Sequence, residues 1–288
     1  IGRLLYKHVE SEQLDIQLFT IIEQLNQGRV LIVSDLERLQ LAQLNLQAAE
    51  KAKLASVWEA AAQYASIGLA LLPESSWRIQ YDLFFGLNNA LAECEYLLGH
   101  PEKSEVLYEF LLVNTQSDID KAQLCATRLV QTIGRGQWKK GVKFGISGLQ
   151  YLGLNVPFES EKVGINLQEE SKKFNQYLAE KSFEQFIGLP EMTDARLLIA
   201  CNIIPNLSQC GYILGQTEFR KFCTLLGLNI TLSSGKSDLT PILFACYAIM
   251  LAKEDCLSQA YEVAEQAIKI SDLYPDCREL ANTYNILS

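Results

Sequence analysis

The chain has 288 residues, 49% hydrophobic and 20% charged, with a formal net charge of −9. It is too apolar to stay disordered and long enough to bury one large core or two ordinary ones. With 25 Lys and Arg against 34 Asp and Glu it lacks the positive field that phosphate backbones attract, which argues against nucleic acid as a partner.

The chain opens at Ile1 with no signal-peptide pattern and stops at Ser288 in what reads as a helix, so both ends look cut from a longer polypeptide. Helical signals dominate throughout. The best strand candidate is Val30–Val33, only four residues long. Ser34 then caps an acidic first turn. The stretch Asp35 to Leu72 is rich in strong helix formers and too long for one helix. Turns are marked by Leu72-Pro73, Gly99-His100-Pro101, Gly134-Arg135-Gly136, Gly153 to Pro157, Gly188-Leu189-Pro190 and Ser233-Ser234-Gly235. Later helices are expected at about Glu161 to Phe186, Asp194 to Asn206 and Gln216 to Leu232. The uncharged stretch Leu197 to Thr217 has the length of a membrane span. Asn202, Pro205, Asn206, Ser208 and Gln209 fall in its middle, and it reads instead as two short buried helices.

Internal repetition shapes this pattern. A tetratricopeptide-type helix pair needs a small residue in its first helix, a turn glycine seven residues on, and small residues in the second helix where the two cross. Ala92, Gly99, Ser104, Tyr108 and Leu111 form the clearest unit, with leucine in the last small position. Gly136 is followed at the same offsets by Gly141, Gly145 and Gly148. Ala61, Ala65, Gly68 and Pro73 reproduce the second-helix pattern, and Ala248 precedes Asp255, Ala260, Ala264 and Ala267. Between Pro157 and Thr240 the pattern blurs. The expected fold is all-α, a TPR-like superhelical array of antiparallel helix pairs.

Chemistry is scarce. His8 and His100 are the two histidines, and neither lies near the eight cysteines, which form no C-x-x-C pair. No metal or cofactor site is expected, and the cysteines read as buried reduced thiols of a cytoplasmic protein. Gly235-Lys236-Ser237 imitates the end of a phosphate-binding loop, but Ile230 stands where the first glycine is needed. Glu169-Glu170 and Lys172-Lys173 read as a solvated helix face. Trp58, Trp77 and Trp138 read as wedges between helix pairs.

Two sets of residues go beyond a generic repeat. Ile1-Gly2-Arg3-Leu4-Leu5, Ile21 to Gly28, and Glu37-Arg38-x-x-Leu41-Ala42-x-Leu44-Asn45-Leu46-x-Ala48-Ala49-x-Lys51-Ala52 resemble the junction that follows the ATPase module in bacterial signalling ATPases of the STAND class. Tyr64-x-x-x-Gly68-x-x-Leu71-Leu72-Pro73-x-x-x-Trp77, Ala92-Glu93-x-x-Tyr96-Leu97-x-Gly99, Leu189-Pro190-x-Met192-x-Asp194 and the closing Glu279-Leu280-Ala281-x-Thr283-Tyr284 resemble the helical-repeat segment of large multidomain bacterial sensor kinases. In that family a serine/threonine kinase-like domain and an AAA-type ATPase come before the helical region, and a GAF domain and a histidine kinase follow. The resemblance implies a junction over 1–50 and a repeat domain over 51–288. None of the family's catalytic motifs is present, so what it implies is a non-catalytic coupling role toward neighbouring domains or a protein partner. On the repeat, Asn89, Glu93, Tyr96 and Gln123 are expected to face a binding groove. A small-molecule or peptide sensor built on the same helices is the alternative, and an all-helical enzyme lacks a converging set of titratable groups.

Overall fold

A computed structural model describes residues 1–8, 11–73, 75–180 and 183–275. Cys277 and the closing stretch Glu279 to Tyr284 lie outside the described residues. Among the described residues are fourteen α-helices, two short 3-10 turns and a single isolated bridge between Glu191 and Lys236. The chain folds as two compact units, Ile1–Thr115 and Gln116–Ser288.

The first unit holds α1 (Gly2–His8), α2 (Ser11–Gln27), α3 (Asp35–Leu54), α4 (Trp58–Ala70), the one-turn α5 (Ser76–Ile79), α6 (Tyr81–Leu97) and α7 (Pro101–Asn114). Residue 50, where a junction is expected to end, lies inside α3. The short strand candidate Val30–Val33 forms no strand, in keeping with the all-α reading. Arg29–Leu31 is a 3-10 turn, and Val30, Leu31 and Val33 are exposed while Ile32 alone enters the core. With no strand to pair with, Val30 and Leu31 take the local turn and Ile32 leaves it in an extended conformation. Ile21, Ile22, Leu41, Leu44 and Ala48 bury the α2–α3 contact.

The second unit holds α8 (Asp118–Gly134), α9 (Trp138–Tyr151), α10 (Ser160–Glu180), α11 (Ala195–Ile213), α12 (Thr217–Ser234), α13 (Thr240–Lys253) and α14 (Leu257–Ser271). Helix α10 ends before the expected Phe186, and a 3-10 turn covers Phe183–Phe186. The uncharged stretch is one helix, not two, and Pro205 sits inside it. A proline within a helix costs about 3 kcal/mol. Complete burial of Ile203, Ile204, Leu207 and Cys210 on either side outweighs that cost.

One hairpin turn recurs five times among the described residues, joining α3 to α4, α6 to α7, α8 to α9, α11 to α12 and α13 to α14. Its apex is Ser56, Gly99, Gly136, Gly215 or Asp255, each left-handed, with φ between 59° and 83°. The next residue (Val57, His100, Gln137, Gln216 or Cys256) donates its N–H to the carbonyl of Ala52, Glu95, Thr132, Gly211 or Leu251 at 2.8–3.1 Å. This bond satisfies a carbonyl that the ending helix leaves free. Ser56 thus supplies the turn for the copy that begins at Ala61. Gly215 opens a copy that the sequence pattern does not disclose, with Arg220, Thr224 and Gly227 at the offsets of Gly141, Gly145 and Gly148.

The small residues are where neighbouring pairs touch. A Cβ on Gly68 of α4 would stand 2.7 Å from Leu87 of α6. On Gly145 and Gly148 of α9 it would stand 2.6 and 2.8 Å from Leu207 and Ile203 of α11, and on Gly227 of α12 2.6 Å from Leu243 of α13. Within each unit, then, the second helix of one hairpin packs on the first helix of the next. This close approach offsets the helix propensity the glycines lose.

Candidate functional site

Asn89, Glu93 and Tyr96 lie on successive turns of α6. Asn89 Nδ2 donates to Glu93 Oε1 at 2.9 Å, and Lys53 of α3 meets Glu93 Oε2 at 2.5 Å and Glu50 Oε2 at 3.1 Å. Burial alone would lower the Lys53 ammonium, but Glu93 first and Glu50 next outweigh it, so its pKa is raised. Three of the four expected groove residues therefore share one face, two of them bonded to each other. Gln123 is exposed on α8, which belongs to the second unit.

Glu93→Gln is expected to lower the stability of the first unit by about 1 kcal/mol at pH 7, read from urea unfolding. Because the folded-state pKa of Lys53 lies above its ordinary 10.5, the pair's contribution is complete below that value and fades as pH rises through the raised one. The gap between wild type and variant should close at that end of the pH scale. A gap that holds constant through that range would show that the ion pair is not its source.

The second unit contains a cavity of about 570 Å³ between α8, α11, α12 and α13. Its floor is Pro205, Ser208, Arg220 and Ile242, all buried. Ser208 and Thr224 share a hydroxyl hydrogen bond of 2.9 Å, and Thr224 Oγ1 donates to the Arg220 carbonyl at 3.1 Å. The Arg220 guanidinium lies 5.0 Å from the ring centroid of Tyr212, and Lys253 Nζ lies 4.4 Å from the same centroid. Tyr212 and Lys253 form the exposed rim. Cys246 also lines the cavity; burial pushes its thiol up to about 11 against the opposing Arg220 charge and Ser208 hydroxyl. None of these residues was among the expected groove positions. The available signal was Arg220 itself, five residues after Gly215, where other copies place Ala61, Ser104, Gly141 and Ala260.

Elsewhere several chemistry-bearing residues serve the fold, while Cys256 is an exposed free thiol. Lys236 Nζ donates to the Leu189 carbonyl at 2.6 Å and meets Glu191 at 3.1 Å, so the loop that imitates a phosphate site ties α12 to the segment before α11. Glu170 is not solvated as expected. It is 7% exposed, accepts from Asn229 Nδ2 at 2.7 Å and pairs with Lys173, fixing α10 against α12. Trp77 packs among Tyr81, Phe84 and Phe110, with centroids 4.9–5.8 Å away. Burial pushes Cys94 and Cys210 to about 11 and Cys201 to about 12, far from a reactive thiolate. Among the described residues no three His, Cys, Asp or Glu side chains gather as a metal site, and no helix is long and apolar enough to cross a membrane.

No protein-family model matches the chain, and no solved structure does. Hybrid signal transduction histidine kinase G of Dictyostelium discoideum is 27% identical over 177 residues, covering 54% of this chain and 5% of the kinase. The chain is thus distantly homologous, over about half its length, to a small part of a hybrid histidine kinase.

Proposed function

We propose that this chain is a non-catalytic regulatory segment of a multidomain signalling kinase. In this reading it is a TPR-like stack of helical hairpins, cytoplasmic and cofactor-free, that couples neighbouring domains of one polypeptide or holds a protein partner. The observation that carries it is the five-fold recurrence of one hairpin turn, with hairpins stacked through small residues, in a chain related to a small part of a histidine kinase. Stacked helical pairs offer extended faces for other proteins rather than a reaction centre. The α6 face bearing Asn89, Glu93 and Tyr96 and the α8 position Gln123 are the proposed contacts. A second reading, a sensor for a small ligand, is favoured by the cavity beside Arg220.

The test is autophosphorylation of the full-length parent protein with labelled ATP, alongside the isolated 288-residue chain. The isolated chain should transfer no phosphate. Tyr96→Ala and Gln123→Ala in the parent should shift its phosphorylation level several-fold while circular dichroism stays unchanged. Phosphotransfer by the isolated chain, or a parent indifferent to both substitutions, would overturn the coupling reading.

A further inference from the structure

We propose that the cavity of the second unit binds a small organic anion. Arg220 and Lys253 hold its carboxylate or phosphate group, and its apolar body lies against Pro205, Ile242 and Ile249. This deepens the sensor reading and rests on it; the coupling reading does not depend on it.

Arg220 breaks the rule of its own repeat. It occupies a crossing position that is small in the other hairpins, and its backbone presses so closely on α11 that a Cβ on Gly211 would stand 3.0 Å from its amide nitrogen. The residue is 9% exposed. A buried guanidinium is costly unless anions or acceptors surround it. Among the described residues its guanidinium has no carboxylate partner and no hydrogen-bond acceptor; it meets the Tyr212 ring. The ring offsets part of that cost but supplies no countercharge, and a departure from local pattern that is only partly compensated points to function.

Lys253 repeats the imbalance at the rim. It too has no carboxylate partner among the described residues, and it approaches the same ring. The two cations therefore lie within a Debye length of about 10 Å of each other and repel. Among the described residues no acidic residue lines the cavity; Glu254, next to Lys253, pairs with Lys221, and Asp238 acts on Tyr274. An anion between Arg220 and Lys253 relieves both charges at once. Arginine's planar fork matches a carboxylate or phosphate through paired N–H groups.

Size and charge choose the class. A volume of about 570 Å³ suits a small molecule, and the walls are mixed, with Val130, Pro205, Leu239, Ile242 and Ile249 on the apolar side and Arg220 and Lys253 as the charged groups. A chain of net charge −9 repels an acidic macromolecule over most of its surface, yet admits one compact anion to a positive cavity.

Isothermal titration of the purified chain at low salt tests this with hexanoate, hexyl phosphate, inorganic phosphate and hexylamine. Hexanoate, hexyl phosphate or both should bind one per chain, and which one binds identifies the head group. Inorganic phosphate should bind more weakly than hexyl phosphate, since it leaves the apolar wall uncovered, and hexylamine should not bind. Lys253→Gln, an exposed substitution with no fold cost, should weaken the anion about tenfold, the loss expected for one charge-assisted contact. Arg220→Gln, if circular dichroism shows it folded, should weaken it at least as much, whereas Lys139→Gln on α9 should bind as wild type does. Hexylamine binding as well as the anions, no binding of either alkyl anion, or unchanged binding by Lys253→Gln would overturn the proposal. Titration and phosphotransfer are separate readouts, so failure of the anion site and failure of the coupling reading are distinguishable.

Discussion

Gly235→Ala is expected to lower the unfolding free energy of the second unit by about 3–5 kcal/mol, read as a shift of the urea midpoint at unchanged slope. Gly235 closes α12 with φ 108° and ψ 170°, a conformation that essentially only glycine adopts. A Cβ there would stand 2.5 Å from the Pro190 carbonyl oxygen and 3.1 Å from both the Glu191 carbonyl carbon and the Met192 nitrogen. Every one of these atoms is backbone, so no rotamer change relieves the clash. The same backbone carries the bonds that join the two segments. Lys236 N–H donates to the Pro190 carbonyl at 2.8 Å, and Met192 N–H donates to the Lys236 carbonyl at 2.7 Å. Moving Pro190 away would break both. Gly215→Ala is the control. Its φ is 70° and a Cβ would meet nothing within 4 Å, so only the left-handed strain of about 1 kcal/mol remains. Equal losses in the two variants would show that the contact with Pro190 is not what holds Gly235.

What the sequence disclosed follows from which interactions are local. The Gly136 and Asp255 turns were legible because a small-residue set follows each at fixed offsets, and the Gly99 turn because Ala92 and Ser104 flank it; the packing in α9 explains why such residues are small. The copy at Gly215 was not legible because Arg220 stands in the first position after the turn, which Ala61, Ser104, Gly141 and Ala260 keep small in the other copies. A backbone turn tolerates such a residue, whereas a composition pattern does not reveal it. Glu170 was misread for a related reason. Its i,i+3 pair with Lys173 is local and visible, but its bond to Asn229 joins residues far apart in the chain. The cavity was the least legible feature. Its walls come from four helices, and only the packing of α11 against α8, α12 and α13 brings Asn202, Arg220 and Lys253 to one place. Helix periodicity reports which face is buried; it does not report where a buried face leaves room.

Asn45→Ala is expected to cost the first unit about 3 kcal/mol and Asn26→Ala about 2 kcal/mol, with the double variant about 1–2 kcal/mol less destabilised than their sum. Asn26 on α2 and Asn45 on α3 are 6% and 0% exposed. Each side-chain amide donates to the other's oxygen at 3.0 Å, and Asn45 Nδ2 also donates to the Leu41 carbonyl at 2.9 Å. Removing one partner strands the other in an apolar contact lined by Ile21, Ile22, Leu41 and Leu44, where an unmet amide loses its full desolvation energy. Removing both leaves no orphan, so the coupling should be large and of that sign. Asn45 carries the larger single effect because its nitrogen serves two acceptors and because it packs against α4, where its Cβ lies 3.2 Å from the Cβ position of Gly68. Strict additivity in the unfolding cycle would mean that the paired amides contribute nothing as a pair. A hydrophobic α2–α3 contact alone tolerates sliding by one helical turn, while a reciprocal amide pair closes in a single register.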